Sequence, residues 1–222
     1  MNKIILSLFL CVALVLPSAG QITLRGAGNA PAAGGGGGPV GTDNFTGTNG
    51  ALLSARSNWA LNSADSADFQ IQSNQLGISP PATGGIDYAA RWTGGAFNAN
   101  QYAQCVINHN LGGTSEQIGL AVRVASDNSL TFYGIYTNGS ATNLFKMVSG
   151  SWTLIADVTA PTSGDTIRLE ANGTTIRYLI NGVQDFSTTD SSIASGAAGV
   201  CGFASPSSSP NNLIDNWEGG NL

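Results

Sequence analysis

Apolar and polar positions alternate in short segments along most of this chain, and turn residues separate the segments. From Gln117 to Phe186 the turns fall at Asp127-Asn128, Asn138-Gly139, Ser149-Gly150, Asn172-Gly173 and Asn181-Gly182. Asn-Gly between alternating segments signals a β-hairpin, because a type I′ turn needs φ > 0 at both central residues. Ile118, Leu120, Val122 and Val124 share one face of a strand, and Gly119, Ala121, Arg123 and Ala125 share the other. Period two over eight residues predicts a half-buried strand. A two-residue loop at Asn172-Gly173 pairs Leu169 with Ile176 and Ile167 with Tyr178 on one face. On the other it sets Arg168 opposite Arg177, with Glu170 diagonal and placed to offset the like charges. Upstream, Phe45, Leu52-Leu53, Trp59, Phe69–Ile71, Leu76–Ile78, Tyr88–Trp92 and Tyr102–Ile107 supply further strand-like core segments. No segment keeps a helical period, and glycine is too frequent for one. The pattern predicts an all-β, antiparallel, closed or double-layered protein.

The two ends read differently. Lys3, the apolar run Ile4–Leu16 and Pro17-Ser18-Ala19-Gly20 have the order of a secretory signal peptide over residues 1–20. The apolar run is short for a membrane span, so the mature chain is expected to carry none. Residues 21–42 follow as a Gly-rich flexible arm containing Gly34–Gly38. Gln21–Arg25 at its start is strand-like and could pair with a second copy. The folded domain is expected over 43–222. Without the leader, Cys105 and Cys201 remain, and an even count in an exported protein permits one disulfide. Two buried free thiols are the alternative. Charged residues are only 9% of the 222, and the net charge is −5 with eight basic residues. That excludes a phosphate-tracking basic stripe, so no nucleic-acid partner is expected.

Several segments in order carry a family resemblance. They are Asp43-Asn44-Phe45, Gly119–Val124, Tyr133–Tyr136, Lys146 with Ser151–Leu154, Gly164–Glu170, Tyr178–Val183 and Ile214–Glu218. Together they resemble the concanavalin A-like lectin/glucanase superfamily, and most of all its laminin-G-like modules. The resemblance covers roughly 43–222. It implies an antiparallel jelly-roll β-sandwich of two curved sheets. Members include sugar-binding lectins, glycan hydrolases and structural domains, so fold alone does not choose a function.

The chemistry narrows the choice. Glycosidases need two carboxylates across the scissile bond. The Glu-x-Asp-x-x-Glu run of the superfamily's glucanases is absent, and the only glutamates are Glu116, Glu170 and Glu218. The single histidine, His109, lacks a nucleophile-elbow motif and the cysteine partners of a zinc site. Because the superfamily often holds Ca²⁺, Asp43 and Asp215 are candidate calcium ligands, with Asp127-Asn128 as a second place that is equally a turn. For sugar binding, the resemblance places a ligand on the concave sheet, where Arg123, Tyr133 and Lys146 would form a polar, aromatic-containing row. Trp92, followed by Thr93-Gly94-Gly95, is a candidate exposed stacking platform. Trp59, Trp152 and Trp217 read as core. The expectation is an exported, non-catalytic module binding a glycan or another cell-surface ligand. The alternatives are a structural subunit assembling through residues 21–42 and a divergent glycoside hydrolase.

Overall fold

The computed structural model of the protein describes residues 38–62, 68–79, 85–109, 116–206 and 211–222. The expected export signal over 1–20, the expected arm up to residue 37 and the side chain of His109 lie outside the described residues. Fifteen strands run through the rest: β1 (Pro39–Asp43), β2 (Trp59–Asn62), β3 (Asp68–Gln72), β4 (Gln75–Ser79), β5 (Ile86–Trp92), β6 (Gln101–His109), β7 (Gln117–Val124) and β8 (Phe132–Thr137). They continue as β9 (Thr142–Val148), β10 (Ser151–Asp157), β11 (Thr166–Asn172), β12 (Thr175–Ile180), β13 (Val183–Thr189), β14 (Ala197–Ala204) and β15 (Asn212–Asn221). A 3₁₀ turn spans Leu53–Ala55, and no α-helix occurs among the described residues.

The strands form two antiparallel sheets that pack as a sandwich. One sheet has the order β13-β12-β11-β6-β15-β4-β3, with β1 also paired to β15; the other has the order β10-β9-β8-β7-β14-β5-β2. Ile71, Leu76, Ile107, Leu169, Tyr178 and Trp217 from the first sheet meet Tyr88, Leu120, Val122, Tyr133, Ile135 and Leu144 from the second. Full burial of such side chains stabilises by about 1.5–3 kcal/mol each.

The turns show why these segments pair as they do. Ser149-Gly150 (φ 49° and 78°) and Asn181-Gly182 (φ 51° and 78°) take left-handed conformations at both central positions. Their flanks pair directly, Val148 with Ser151 and Ile180 with Val183. Ser73-Asn74 (φ 52° and 59°) makes a third such hairpin, between β3 and β4, without a glycine to announce it.

At the next hairpin the expected register is corrected. Its loop is Gly173-Thr174, so Leu169 pairs with Tyr178 and Ile167 with Ile180, two residues from the expected partners. A two-residue shift keeps every side chain on its face. It also sets Glu170, instead of Arg168, opposite Arg177. Glu170 then reaches both cations, at 2.7 Å from Arg168 and 2.6 Å from Arg177.

Two further expectations change. Strand β1 begins at Pro39, inside the segment read as arm, and pairs Asp43 with Trp217 and Pro39 with Gly220. Proline is tolerated there because it opens a strand at a sheet edge. Strand β7 is buried on both faces rather than one. Its second face, with Ala121, lies under a separate apolar cluster containing Phe132, Tyr136, Phe145 and Cys201.

Candidate functional site

Arg123, Tyr133 and Lys146 do come together, but around the loop 190–193. Arg123 is 2% exposed and takes φ 55° where the β7–β14 register shifts. Its guanidinium donates to the carbonyls of Ile193 (2.7 Å), Gly173 (2.7 Å) and Ala99 (2.9 Å). The Tyr133 hydroxyl donates to Asp190 Oδ1 (2.6 Å) and accepts the Ile193 N–H (3.1 Å). Burial, followed by the bond to Asp190, pushes its pKa up to about 12. Lys146 Nζ reaches Asp190 Oδ2 (2.6 Å) and Ser192 Oγ (2.7 Å). Burial alone would raise the Asp190 carboxyl, yet the Lys146, Tyr133 and Ser192 donors hold it well below the usual carboxylate range. The three residues therefore staple a loop across the interior.

The disulfide expectation is corrected as well. Cys105 and Cys201 are free and buried. Cys105 on β6 points into the core between the sheets, whereas Cys201 on β14 belongs to the cluster on the far face of the second sheet. Alternation fixes this, since Val200 next to it faces inward. Burial pushes both thiols well up.

Trp92 is 7% exposed, so it offers no open stacking platform. It packs edge-on to Trp59 at 5.3 Å and tilted against Trp217 at 5.4 Å. Gly41 permits this approach, because a Cβ there would lie 2.3 Å from the Trp92 ring. The three indoles floor a cleft of about 810 Å³ between β1, β2, β5 and β15. Asp43 forms one wall. Its oxygens accept Arg56 Nη2 (2.7 Å), Arg56 Nε (3.0 Å) and Trp59 Nε1 (2.9 Å). Calcium needs six to eight oxygen ligands. Here a guanidinium already neutralises Asp43, and no group of three or more His, Cys, Asp or Glu able to hold a metal occurs among the described residues. Asp215 accepts the Asn216 N–H at 2.7 Å, at a break in the strand register. The donor set at Asp43 and Asp215 does not fit calcium.

The far face of the seven-stranded sheet carries a second arrangement. Small residues, Gly119 on β7 and Cys201 on β14, lie side by side at its centre. Tyr136 on β8 pairs beside Gly119, and Phe145 on β9 packs tilted against Tyr136 (4.3 Å, 40°) and stacks on Trp152 of β10 (5.9 Å, 24°). Trp152 is 42% exposed, the one exposed aromatic among the described residues. The Tyr136 hydroxyl lies between the Trp152 indole and the Asp87 carboxyl of β5, near enough to each to couple to it electrostatically. Tyr136 and Asp87 stand three strands apart, about 14 Å on a flat sheet. Burial pushes the Asp87 carboxyl up to about 6, against the pull of Tyr136, and its Oδ1 has no partner.

The same two-sheet architecture recurs in solved structures. A carbohydrate-binding module from Bacillus subtilis, CBM66, superposes with a TM-score of 0.54 at 14% identity, over 74% of this chain and 97% of that one. The lumenal domain of VIP36, in its Ca²⁺-bound form, gives 0.51 at 11% identity over 81% and 88%. The fold is the concanavalin A-like jelly roll. Enzymes share this jelly roll. An endo-β-galactosidase from Clostridium perfringens gives 0.55 at 13% identity, with the chain covering 63% of it. No family model matches the sequence, and no curated protein does.

The jelly roll explains which residues sequence reasoning missed. Trp152 was assigned to the core, yet its pairing with Met147 puts it on the far face. The alternation Leu144-Phe145-Lys146-Met147 carried that signal: Leu144 is inward, and Phe145 and Met147 are outward. Asp87 and Arg56 gave no signal, because their partners lie far away in the chain.

Proposed function

We propose that the protein is an exported, non-catalytic carbohydrate-binding module, and that it grips its ligand on the far face of the seven-stranded sheet. The observation that carries this is the exposed Trp152 indole, stacked on Phe145 with the polar groups of Tyr136 and Asp87 close by on the same face. A flat, rigidly held aromatic face is what stacks on a sugar ring, and polar groups beside it bond the hydroxyls. The jelly rolls of CBM66, a carbohydrate-binding module, and of VIP36, also solved in a Ca²⁺/Man2-bound form, support a glycan ligand.

Affinity electrophoresis against β-glucan, galactan, mannan, levan and hyaluronan tests the proposal. Retardation by at least one polymer is expected, reduced ten-fold or more in Trp152→Ala and less in Trp152→Phe, with both variants melting like the parent. Retention by none, or undiminished retention by Trp152→Ala, overturns it.

A hydrolytic role has one observation in its favour, the Asp87 carboxyl pushed up to about 6 by burial, which is the direction a general acid requires. Asp157 shares this face, two strands from Tyr136, but its Oδ1 accepts the Asn143 amide N–H at 2.7 Å, and no glutamate among the described residues joins it. Glu116 accepts the Asn211 and Asn212 N–H groups, Glu170 sits between two arginines, and Glu218 accepts the Tyr102 hydroxyl. Release of reducing ends from a retained polymer, abolished by Asp87→Asn, would establish hydrolysis instead.

A further inference from the structure

We propose that the indole-floored cleft between β1, β2, β5 and β15 is a second binding site, built for an uncharged sugar residue and independent of the Trp152 face. Its size comes first: about 810 Å³ lies within the range of small-molecule sites, roughly 300–1,000 Å³. Its charge comes next. The Asp43 carboxylate is matched by Arg56 and by the Trp59 N–H, and Glu218 accepts the Tyr102 hydroxyl at 2.5 Å. With its carboxylates already partnered, the cleft has no unmatched charge for an ionic ligand.

What the cleft does present is neutral hydrogen-bonding capacity. Thr42, Ser57, Asn58 and Asn216 stand exposed around its rim. None of the four bonds through its side chain to another described residue. Carboxamides and hydroxyls both donate and accept, which is what a ring of hydroxyl groups needs. The backbone is bent to hold this rim. Asn216 takes φ 50° where the β15 register shifts, and Phe45, a bulky residue, takes φ 51° at the other side. Such a bulge re-aims a side chain, and left-handed backbone at a bulky residue persists only where its surroundings enforce it. Phe45 is fully buried and packs 6.2 Å from the Trp59 ring.

The test uses ¹⁵N-labelled full-length protein and D-glucose, D-galactose, D-mannose and D-fructose as probes. The indole N–H signals of Trp59, Trp92 and Trp217 report the cleft, and that of Trp152 reports the sheet face. Saturable shifts of the cleft indoles are expected with at least one sugar at roughly 10 mM or below, an affinity ordinary for a single ring. They are expected to survive in Trp152→Ala and to weaken at least five-fold in Asn58→Ala/Asn216→Gly, which removes two exposed side chains while glycine keeps the left-handed backbone at 216, so that the melting temperature stays close to the parent's. No saturable shift with any of the four, loss of the shifts in Trp152→Ala, or their persistence in the double variant overturns the proposal. Loss of polymer binding alone would sink the sheet-face reading and leave the cleft standing.

Discussion

Single residues in this protein are governed by what they are buried against. Arg123 is the plainest case. A guanidinium without a carboxylate partner survives at 2% exposure because backbone carbonyls from three separate segments converge on it. Asp87 is the opposite case: its Oδ1 has no partner, and burial raises its pKa to about 6. The folded carboxyl keeps its proton up to that point, whereas the unfolded one releases it near 4. Asp87 therefore lowers stability as pH rises through this window, and the full cost applies above about pH 6. Asp87→Asn cannot ionise. It is expected to gain on the order of 1–2 kcal/mol over the parent at about pH 7.5, after allowance for solvent screening, and to lose that gain toward pH 4. Urea titrations of both proteins at the two pH values check this, and a gap independent of pH would show that ionisation is not its source.

At the scale of elements, the hairpins were legible and their exact pairing was not. Asn181-Gly182 and Ser149-Gly150 announce themselves because two left-handed residues in a row select so few side chains. The loop at Gly173-Thr174 misled by two residues, since glycine takes the first loop position there while asparagine stays in the strand. What fixes the register is the charge on the outer face, with Glu170 opposite Arg177 and beside Arg168. Glu170 is only 3% exposed. Glu170→Gln leaves two neighbouring cations without a counter-charge, and an expected loss of about 2–4 kcal/mol follows. Chemical denaturation reads it directly. A loss below about 1 kcal/mol would mean that apolar packing alone sets the pairing.

At the scale of the molecule, the sandwich could be read from alternation, because half of each strand must face a core. The candidate sites could not. The cleft needs Asp43, Arg56, Trp92 and Trp217 from four separate stretches of chain, and the sheet face needs Asp87 to meet Tyr136 across three strands. Neither meeting leaves a local pattern. The edge of the sandwich was also misplaced, since Pro39–Asp43 carries a proline and a glycine and looks like more of the arm. A chain starting at Asn44 loses β1 and with it the acceptor for Arg56 and the Trp59 N–H. Relative to a chain starting at Gly38, its melting temperature is expected to fall by roughly 10 °C. Scanning calorimetry of the two decides it, and equal melting would make β1 dispensable.

The pairing of Pro39 with Gly220 has a consequence for how the module can be mounted. Entry and exit of the described chain lie side by side, and both belong to the eight-stranded sheet. A short linker could join them, and the chain could be reopened at the Asn138–Ala141 loop without disturbing a strand. The two chain ends and the Trp152 face thus sit in different layers, so a fusion at either end hangs the sandwich from one corner and leaves that face in the other layer.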